Sequence, residues 1–407
     1  MLSRGYEALD LMILANEDHV PPFIYEYIFF KGRIEMDRLI QAVDRVAAIV
    51  PETLYCLDAR RSRFKKAGFT ARDVVTETAQ MLDYGFEWDL RHGPQVTIRV
   101  GHGSHKDSMI VAVSHVLADG MGVLQYVSLL ADAYSGVLSK VSNNRSSAPI
   151  LAAASFGPQT EAEKRGAETP SMGLPLTGAG QEFFCRRVTL PKPTMDALHD
   201  LSRAHSATLN DVFFAACARV ACRTLDLPAV ALRCPVDIRP VVDPGPLSVA
   251  NMTGLYRMSV DVEPDDPFSA TVTQVRQEML RQRKRRRYFF DFPTLAKLSR
   301  RFPVSALKTI LKGSYLVRPV EYTNCGIQPD FAFSGVGVEY SFMTGAYAAY
   351  PEFPFSVSSF AGTTTFAITV VGDENRADAS EKVLRRIVAE IKEWLAHENG
   401  EGRKGLA

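Results

Sequence analysis

Across residues 141–180 the hydrophobic periodicity of the chain fades, and Ser, Asn, Pro, Gly and Thr gather around a charged patch. A stretch of that composition reads as a linker, so each flanking half must build its own core. The 407 residues are enough for two or three units of about 150 residues each.

Both halves open with a strand and then a helix. In the first half, residues 22–32 read as a strand rich in aromatics and isoleucine, and residues 36–50 place Leu39, Ile40, Val43 and Val46 at helical spacing. In the second, residues 183–190 read as a strand, followed by helical patterns over 194–204 and 210–225. Further strands are expected over 95–100, 108–115, 252–262 and 363–371, and Val383, Ile387, Ile391 and Trp394 form one face of a last helix. The expected fold class is therefore α/β (α+β), with mixed sheets covered by helices in each half, although the halves do not align as a repeat.

The balance of 47 Lys+Arg against 46 Asp+Glu leaves a formal charge of +1, which removes any global attraction for nucleic acid. The six cysteines are scattered without a CxxC pair, so neither a disulfide framework nor a zinc ribbon is expected, and a reducing compartment fits. Residues 9–15 read as the buried face of a helix, because Asn16-Glu17-Asp18 follow where a secretory signal needs small residues. No stretch approaches the roughly 18 apolar residues of a membrane span, so the expected location is the cytoplasm.

The chemistry is concentrated where strand 108–115 ends. Residues 109–113 are apolar throughout, the pattern of a strand covered on both faces, and Gly101-His102-Gly103-Ser104-His105 joins this strand to 95–100 as a hairpin. After His115 come Asp119 and Gly120, then Val123, Val127, Leu130 and Tyr134 at helical spacing, with Asp119 at the N-cap position. A histidine can take a proton from a hydroxyl or amine at neutral pH once its ring is held. Asp119 could hold the ring or could anchor the loop through an arginine, and Gly120 allows close backbone approach. Taken alone, the pattern equally suits a satisfied core histidine beside a capping aspartate.

In context, His115, Asp119 and Gly120 match the HxxxDG signature of the superfamily that includes chloramphenicol acetyltransferase, plant BAHD acyltransferases and nonribosomal peptide condensation domains. Three more segments agree in order. Trp88-Asp89-Leu90-Arg91-His92-Gly93-Pro94 with Arg99 resembles the "DLxxGPLLR" stretch of condensation domains, and Thr208-Leu209-Asn210-Asp211-Val212 with Phe213-Phe214-Ala215-Ala216 resembles their "TLNDVLLAA" helix start. Pro235-Val236-Asp237-Ile238-Arg239 with Asn251 resembles the "PVDLR…GN" region. The condensation domains of peptide synthetases usually have two adjacent histidines, and here Ser114 stands for the first. The DFGWG motif of the plant enzymes is absent, so the chain is most similar to stand-alone bacterial acyltransferases such as the polyketide-associated enzymes of mycobacteria.

The resemblance implies two chloramphenicol-acetyltransferase-like lobes, residues 1–165 and 166–407, forming a V with His115 in a tunnel between them. It implies an acyltransferase with His115 as general base, acyl-coenzyme A or a phosphopantetheinyl carrier protein as thioester donor, and a small-molecule alcohol or amine as acceptor. No metal, redox or tightly bound cofactor is expected. The alternatives are a stand-alone condensation enzyme forming an amide and a non-catalytic relative that binds carrier proteins. Asp119 is then expected to anchor the loop through a salt bridge to Arg239, with Arg99 as second choice. The Gly120 N–H or a hydroxyl of Ser359 or Thr365 is expected near the oxyanion, and Asn324 in the tunnel wall, although ordinary strand polarity accounts for the last three as well.

Two other constellations stand out. His102 and His105 have an HxxH spacing with no acidic or thiol cluster nearby in sequence, and read as a solvated turn. Six of the seven residues 281–287 are basic and Tyr288-Phe289-Phe290 follow. The run reads first as a solvated helix face, next as a docking site in which Arg283, Lys284 and Arg286 meet a phosphate-bearing donor, and last as a stacking patch for nucleic acid. There is no GxSxG elbow, Walker loop or GxGxxG after a strand, so serine hydrolase, nucleotide-triphosphatase and dinucleotide oxidoreductase readings lack support.

Overall fold

The structure is a computed structural model that describes residues 3–82, 84–154, 173–176, 178–263, 265–289, 292–312, 320–345, 347 and 353–404. The first strand, β1 (Ser3–Gly5), belongs to a small antiparallel sheet with β3 (Tyr55–Asp58) and β4 (Arg63–Lys66). The main sheet of the first half contains β2 (Phe23–Phe30), β5 (Val75–Thr78), β6 (Val96–His102) and β7 (Asp107–Ser114). All eight residues of β7 are buried, as its unbroken apolar run requires, because β2 and β6 flank it and both of its faces are covered. Helices α2 (Met36–Ala47) and α4 (Gly120–Ser135) pack on one face of this sheet; α1 (Ala8–Ala15) and a four-residue α3 (Ala71–Val74) complete the half.

The second half builds a six-stranded sheet from β8 (Glu182–Leu190), β9 (Ala229–Asp237), β10 (Thr253–Asp261), β11 (Glu321–Ile327), β13 (Pro354–Phe360) and β14 (Thr363–Gly372), in the order β10-β9-β11-β13-β14-β8. The helices Leu209–Leu225 and Glu374–Lys404 contribute to its core. The first of these starts in a capping box, in which the Thr208 hydroxyl accepts from Asp211 N and the Asp211 carboxylate accepts from Thr208 N. The molecule thus has two lobes, each organised by one large sheet.

One strand crosses between them. β12 (Val338–Thr344) comes from the second half but pairs antiparallel with β2 at the edge of the first sheet, from Val338↔Phe30 to Thr344↔Tyr25. The expected lobe boundary at 165/166 lies outside the described residues. No helix among the described residues is long and apolar enough to cross a membrane. None of the six cysteines forms a disulfide, and all are buried.

Two expectations need correction. The beginning of the presumed linker is fixed structure: Asn143 exchanges hydrogen bonds with the Val249 backbone, Arg145 is almost wholly buried, and a short helix, α5 (Ala148–Ala153), follows. Residues 9–15, expected as the buried face of a helix, also bury a charge in Asp10, which is 1% exposed. Both departures concern charged residues that are tolerated in the interior because they face each other.

Candidate active site

β7 delivers His115 to the lobe junction. Ser114 pairs with Phe23, and the next N–H, that of His115, donates to the Pro22 carbonyl at 2.7 Å. The chain then turns sharply as Leu117 N and Ala118 N donate to the Ser114 carbonyl at 2.8 and 3.2 Å. His115 is half-buried, with its Nδ1 fully enclosed. Desolvation lowers its pKa below the usual imidazole range despite the opposing influence of the Asp119 charge, so the ring is neutral at pH 7 and has a lone pair to offer.

Asp119 caps α4 and does not touch the imidazole through a hydrogen bond. Its Oδ1 accepts from Gly122 N and Arg239 Nη2, both at 2.9 Å. Its Oδ2 accepts from Arg239 Nη1 at 3.3 Å, Met252 N at 2.6 Å and Thr253 Oγ1 at 2.7 Å. Burial by itself would raise this carboxyl, but Arg239 and the N–H donors outweigh it and hold the group below the ordinary aspartate range. Arg239 is saturated in turn by the carbonyls of Ser248 and Ala250 and by Asp237. Of the two arginines expected as partners, Arg239 makes the pair. Arg99 does not: its guanidinium lies 3.4 Å from the centroid of the Phe86 ring, because β6 directs it toward that aromatic instead.

A second buried ion pair, unforeseen from the sequence, supports the same loop from below. Arg145 Nη2 donates to Asp10 Oδ2 at 2.7 Å, and the guanidinium also bonds the carbonyls of Val116, Leu117 and Val249. Asp10 Oδ1 in turn accepts from Asn251 Nδ2 at 2.8 Å. The only local signals were an aspartate within an apolar helix and an arginine within a polar stretch, and nothing in the sequence joins positions 135 residues apart.

Gly120 and Gly122 divide the tasks the sequence assigned to one glycine. A Cβ at Gly120 would meet Met343 Sδ at 3.4 Å and Cys325 Sγ at 3.6 Å, ordinary contacts with side chains. At Gly122 it would lie 2.9 Å from both the Ala118 Cβ and the Ala250 carbonyl oxygen, so the close approach that excludes a side chain is there. Helix geometry leaves the first-turn N–H of Gly120 without an intrahelical acceptor.

The remaining candidates are engaged elsewhere. The Asn324 amide donates to Asn210 Oδ1 at 2.9 Å. Ser359 Oγ pairs with Thr364 Oγ1 at 2.7 Å, and Thr365 Oγ1 pairs with the Tyr340 hydroxyl at 2.6 Å. His102 is not a solvated turn residue, since Nδ1 meets Asp107 at 3.0 Å and Nε2 meets Glu77 at 3.1 Å. Those carboxylates bind opposite ring nitrogens, and no group of three metal-capable residues occurs among the described residues. Arg283, Lys284 and Arg286 are exposed at and just after the end of the helix Phe268–Lys284. Tyr288 and Phe289 are buried and so withdrawn from the stacking that nucleic acid would need, and Phe290 lies outside the described residues.

No model of a protein family matches the chain. An uncharacterized protein of Mycobacterium tuberculosis, found in two strains, is 26% identical over 273 residues, which take in 57% of this chain and 61% of that protein. The match thus covers about three fifths of the relative's length. Among solved structures, polyketide synthase associated protein 5 from Mycobacterium tuberculosis aligns over 95% of this chain and 96% of its own, with a TM-score of 0.68 and 16% identity. The first condensation domain of the calcium-dependent antibiotic synthetase, bound to a substrate analogue, covers 97% of each chain with a TM-score of 0.67 and 13% identity. Trichothecene 15-O-acetyltransferase from Fusarium sporotrichioides covers 97% of this chain and 94% of its own, with a TM-score of 0.64 and 13% identity. The chain has the two-lobed fold of condensation domains and related acyltransferases, as its HxxxDG resemblance led one to expect.

Proposed function

We propose that the chain is an acyltransferase in which His115 acts as general base toward an acceptor hydroxyl or amine that attacks an acyl thioester. The observation that carries this reading is a neutral imidazole whose neighbouring carboxylate is wholly committed to Arg239, Gly122, Met252 and Thr253. Asp119 therefore holds the loop and leaves proton transfer to His115 alone. In the step, His115 takes the acceptor's proton as the new bond to the acyl carbon forms. The tetrahedral intermediate then expels the thiol, which leaves with that proton as the carbon–sulfur bond breaks. The developing oxyanion would lie toward the α4 N-terminus, where the Gly120 N–H and the helix dipole favour negative charge.

The donor would be acyl-coenzyme A or an acylated carrier protein. The exposed Arg283, Lys284 and Arg286 suit the phosphate of either, and the turn after their helix packs on β10, the strand that begins with Thr253. Gly254 packs so tightly on the turn after that helix that a Cβ there would lie 2.8 Å from the Tyr288 carbonyl oxygen, and the preceding residue, Thr253, binds Asp119.

The test is mass spectrometry of acceptor pools incubated with the protein and either acetyl-coenzyme A or an acylated carrier protein. His115→Ala is expected to lower any acyl transfer by roughly 10²- to 10⁴-fold while the protein stays folded. Transfer that survives this change overturns the assignment of the base.

A further inference from the structure

Asn251 joins the buried ion pair Asp10–Arg145 to the histidine. It is 5% exposed. Its Nδ2 donates to the carbonyls of His115 at 2.9 Å and Val116 at 3.2 Å, and to Asp10 Oδ1 at 2.8 Å. All three neighbours are acceptors, so only the NH2 end of the amide fits there, and the opposite end must carry the oxygen. That oxygen, Asn251 Oδ1, is buried without a hydrogen-bond partner, and so is His115 Nδ1. An orphan acceptor and an orphan ring nitrogen thus lie on two residues already held together through the His115 carbonyl.

We propose that Asn251 is a positioning residue whose Oδ1 accepts from His115 Nδ1–H, fixing the tautomer that leaves the Nε2 lone pair free to take a proton. Asp10 and Arg145 act one step further back. With Arg145 anchoring its other oxygen, the Asp10 carboxylate prevents the Asn251 amide from flipping, because a flip would set oxygen against oxygen. Asn251 and the ring's own backbone carbonyl both oppose the depression that burial imposes on the imidazole, as acceptors facing the ring must. That carbonyl and the Ala118 carbonyl are the competing acceptors. The tautomer stands independently of the proposed function; its catalytic consequence rests on that reading.

The experiment is a long-range ¹H–¹⁵N correlation spectrum of the full chain labelled with ¹⁵N-histidine, with His115 assigned by the loss of its signal in His115→Gln. The wild-type ring is expected to be neutral with the proton on Nδ1. In Asn251→Ala and Asn251→Ser, each checked by thermal melting, the ring should move to mixed tautomers and hold a proton less tightly. Where transfer activity is measurable, kcat should fall by roughly 10- to 100-fold with KM little changed. A wild-type ring protonated on Nε2 overturns the proposal without recourse to any variant. An unchanged Nδ1–H tautomer in the variants also overturns it and assigns the role to a backbone carbonyl, that of His115 or Ala118. If His115→Ala retains activity while the tautomer behaves as expected, the base assignment fails and the positioning contact stands.

Discussion

Replacing Glu26 with Gln should stabilise the protein progressively as pH rises. Glu26 is fully buried on β2, opposite Met343 of β12 and Val111 of β7. Its carboxyl accepts from both Gln328 Nε2, at 2.9 and 3.0 Å, and the Ser341 hydroxyl. Among the described residues no cation bonds it; burial pushes it from 4.5 up to about 8, and Cys325 is a titratable neighbour whose thiol burial likewise pushes up. The raised value means that the folded state keeps a proton that the unfolded chain releases above about pH 4.5. Stability from this site is therefore fully present below about pH 4.5 and drains away up to about pH 8. At 1.36 kcal/mol per pH unit, the loss is about 1 kcal/mol at pH 5 and about 4 kcal/mol at pH 8. With an unfolding entropy of about 2.1 cal/mol/K per residue, the Tm gap between Glu26→Gln and wild type should widen by about 4 °C between those two pH values. Gln328 Nε2 faces both carboxyl oxygens, so the Gln328 amide must turn over for its orphan Oε1 to accept from the introduced NH2. Melting curves by dye fluorescence from pH 5 to 8 provide the assay. A gap that stays constant across this range, or a variant that weakens relative to wild type as pH rises, would refute the reasoning.

Asp119→Asn should cost about 1–3 kcal/mol in urea unfolding, because the Arg239 guanidinium loses its buried partner and keeps only the more exposed Asp237 as counter-charge; a loss under about 0.5 kcal/mol would contradict that. Combining it with Arg239→Met should recover part of the loss, and additive costs would deny the coupling. Gly122→Ala should destabilise by about 1–3 kcal/mol through its clash with the Ala250 carbonyl, whereas Gly120→Ala should melt within about 0.5 kcal/mol of wild type. His102, raised chiefly by its bond to Asp107, contributes stability that is full below about pH 6.5 and declines above it. His102→Gln should therefore destabilise more at pH 6 than at pH 9, and an equal effect at both would show that the ring is not charged in the fold.

Much of this molecule could be read along the chain. The apolar run of β7, the hairpin before it and the Asp119 cap of α4 all depend on residues within about four positions of one another, and each was legible in the sequence. The order of motif-like segments also pointed to the fold that the solved structures share with this chain. The misreadings were of a different kind. Arg145 lay in a stretch whose composition suggested a linker, and Asp10 was absorbed into an apolar helix, because composition averages away a single charge. His102 seemed solvated because Glu77, 25 residues distant, approaches only when β5 pairs with β6.

What the sequence determined by itself was therefore the kind and place of the most regular elements and the histidine at the end of a buried strand. The tertiary structure decided which of the two candidate arginines meets Asp119 and, without any forewarning in the sequence, that Arg145 meets Asp10. Arg239 reaches Asp119 across 120 residues, and Arg145 reaches Asp10 across 135. Helix and strand patterns arise from short-range sterics and periodic burial, which the linear order contains. A buried ion pair is selected by long-range packing, since a charge removed from water persists only where the fold supplies a partner of opposite sign.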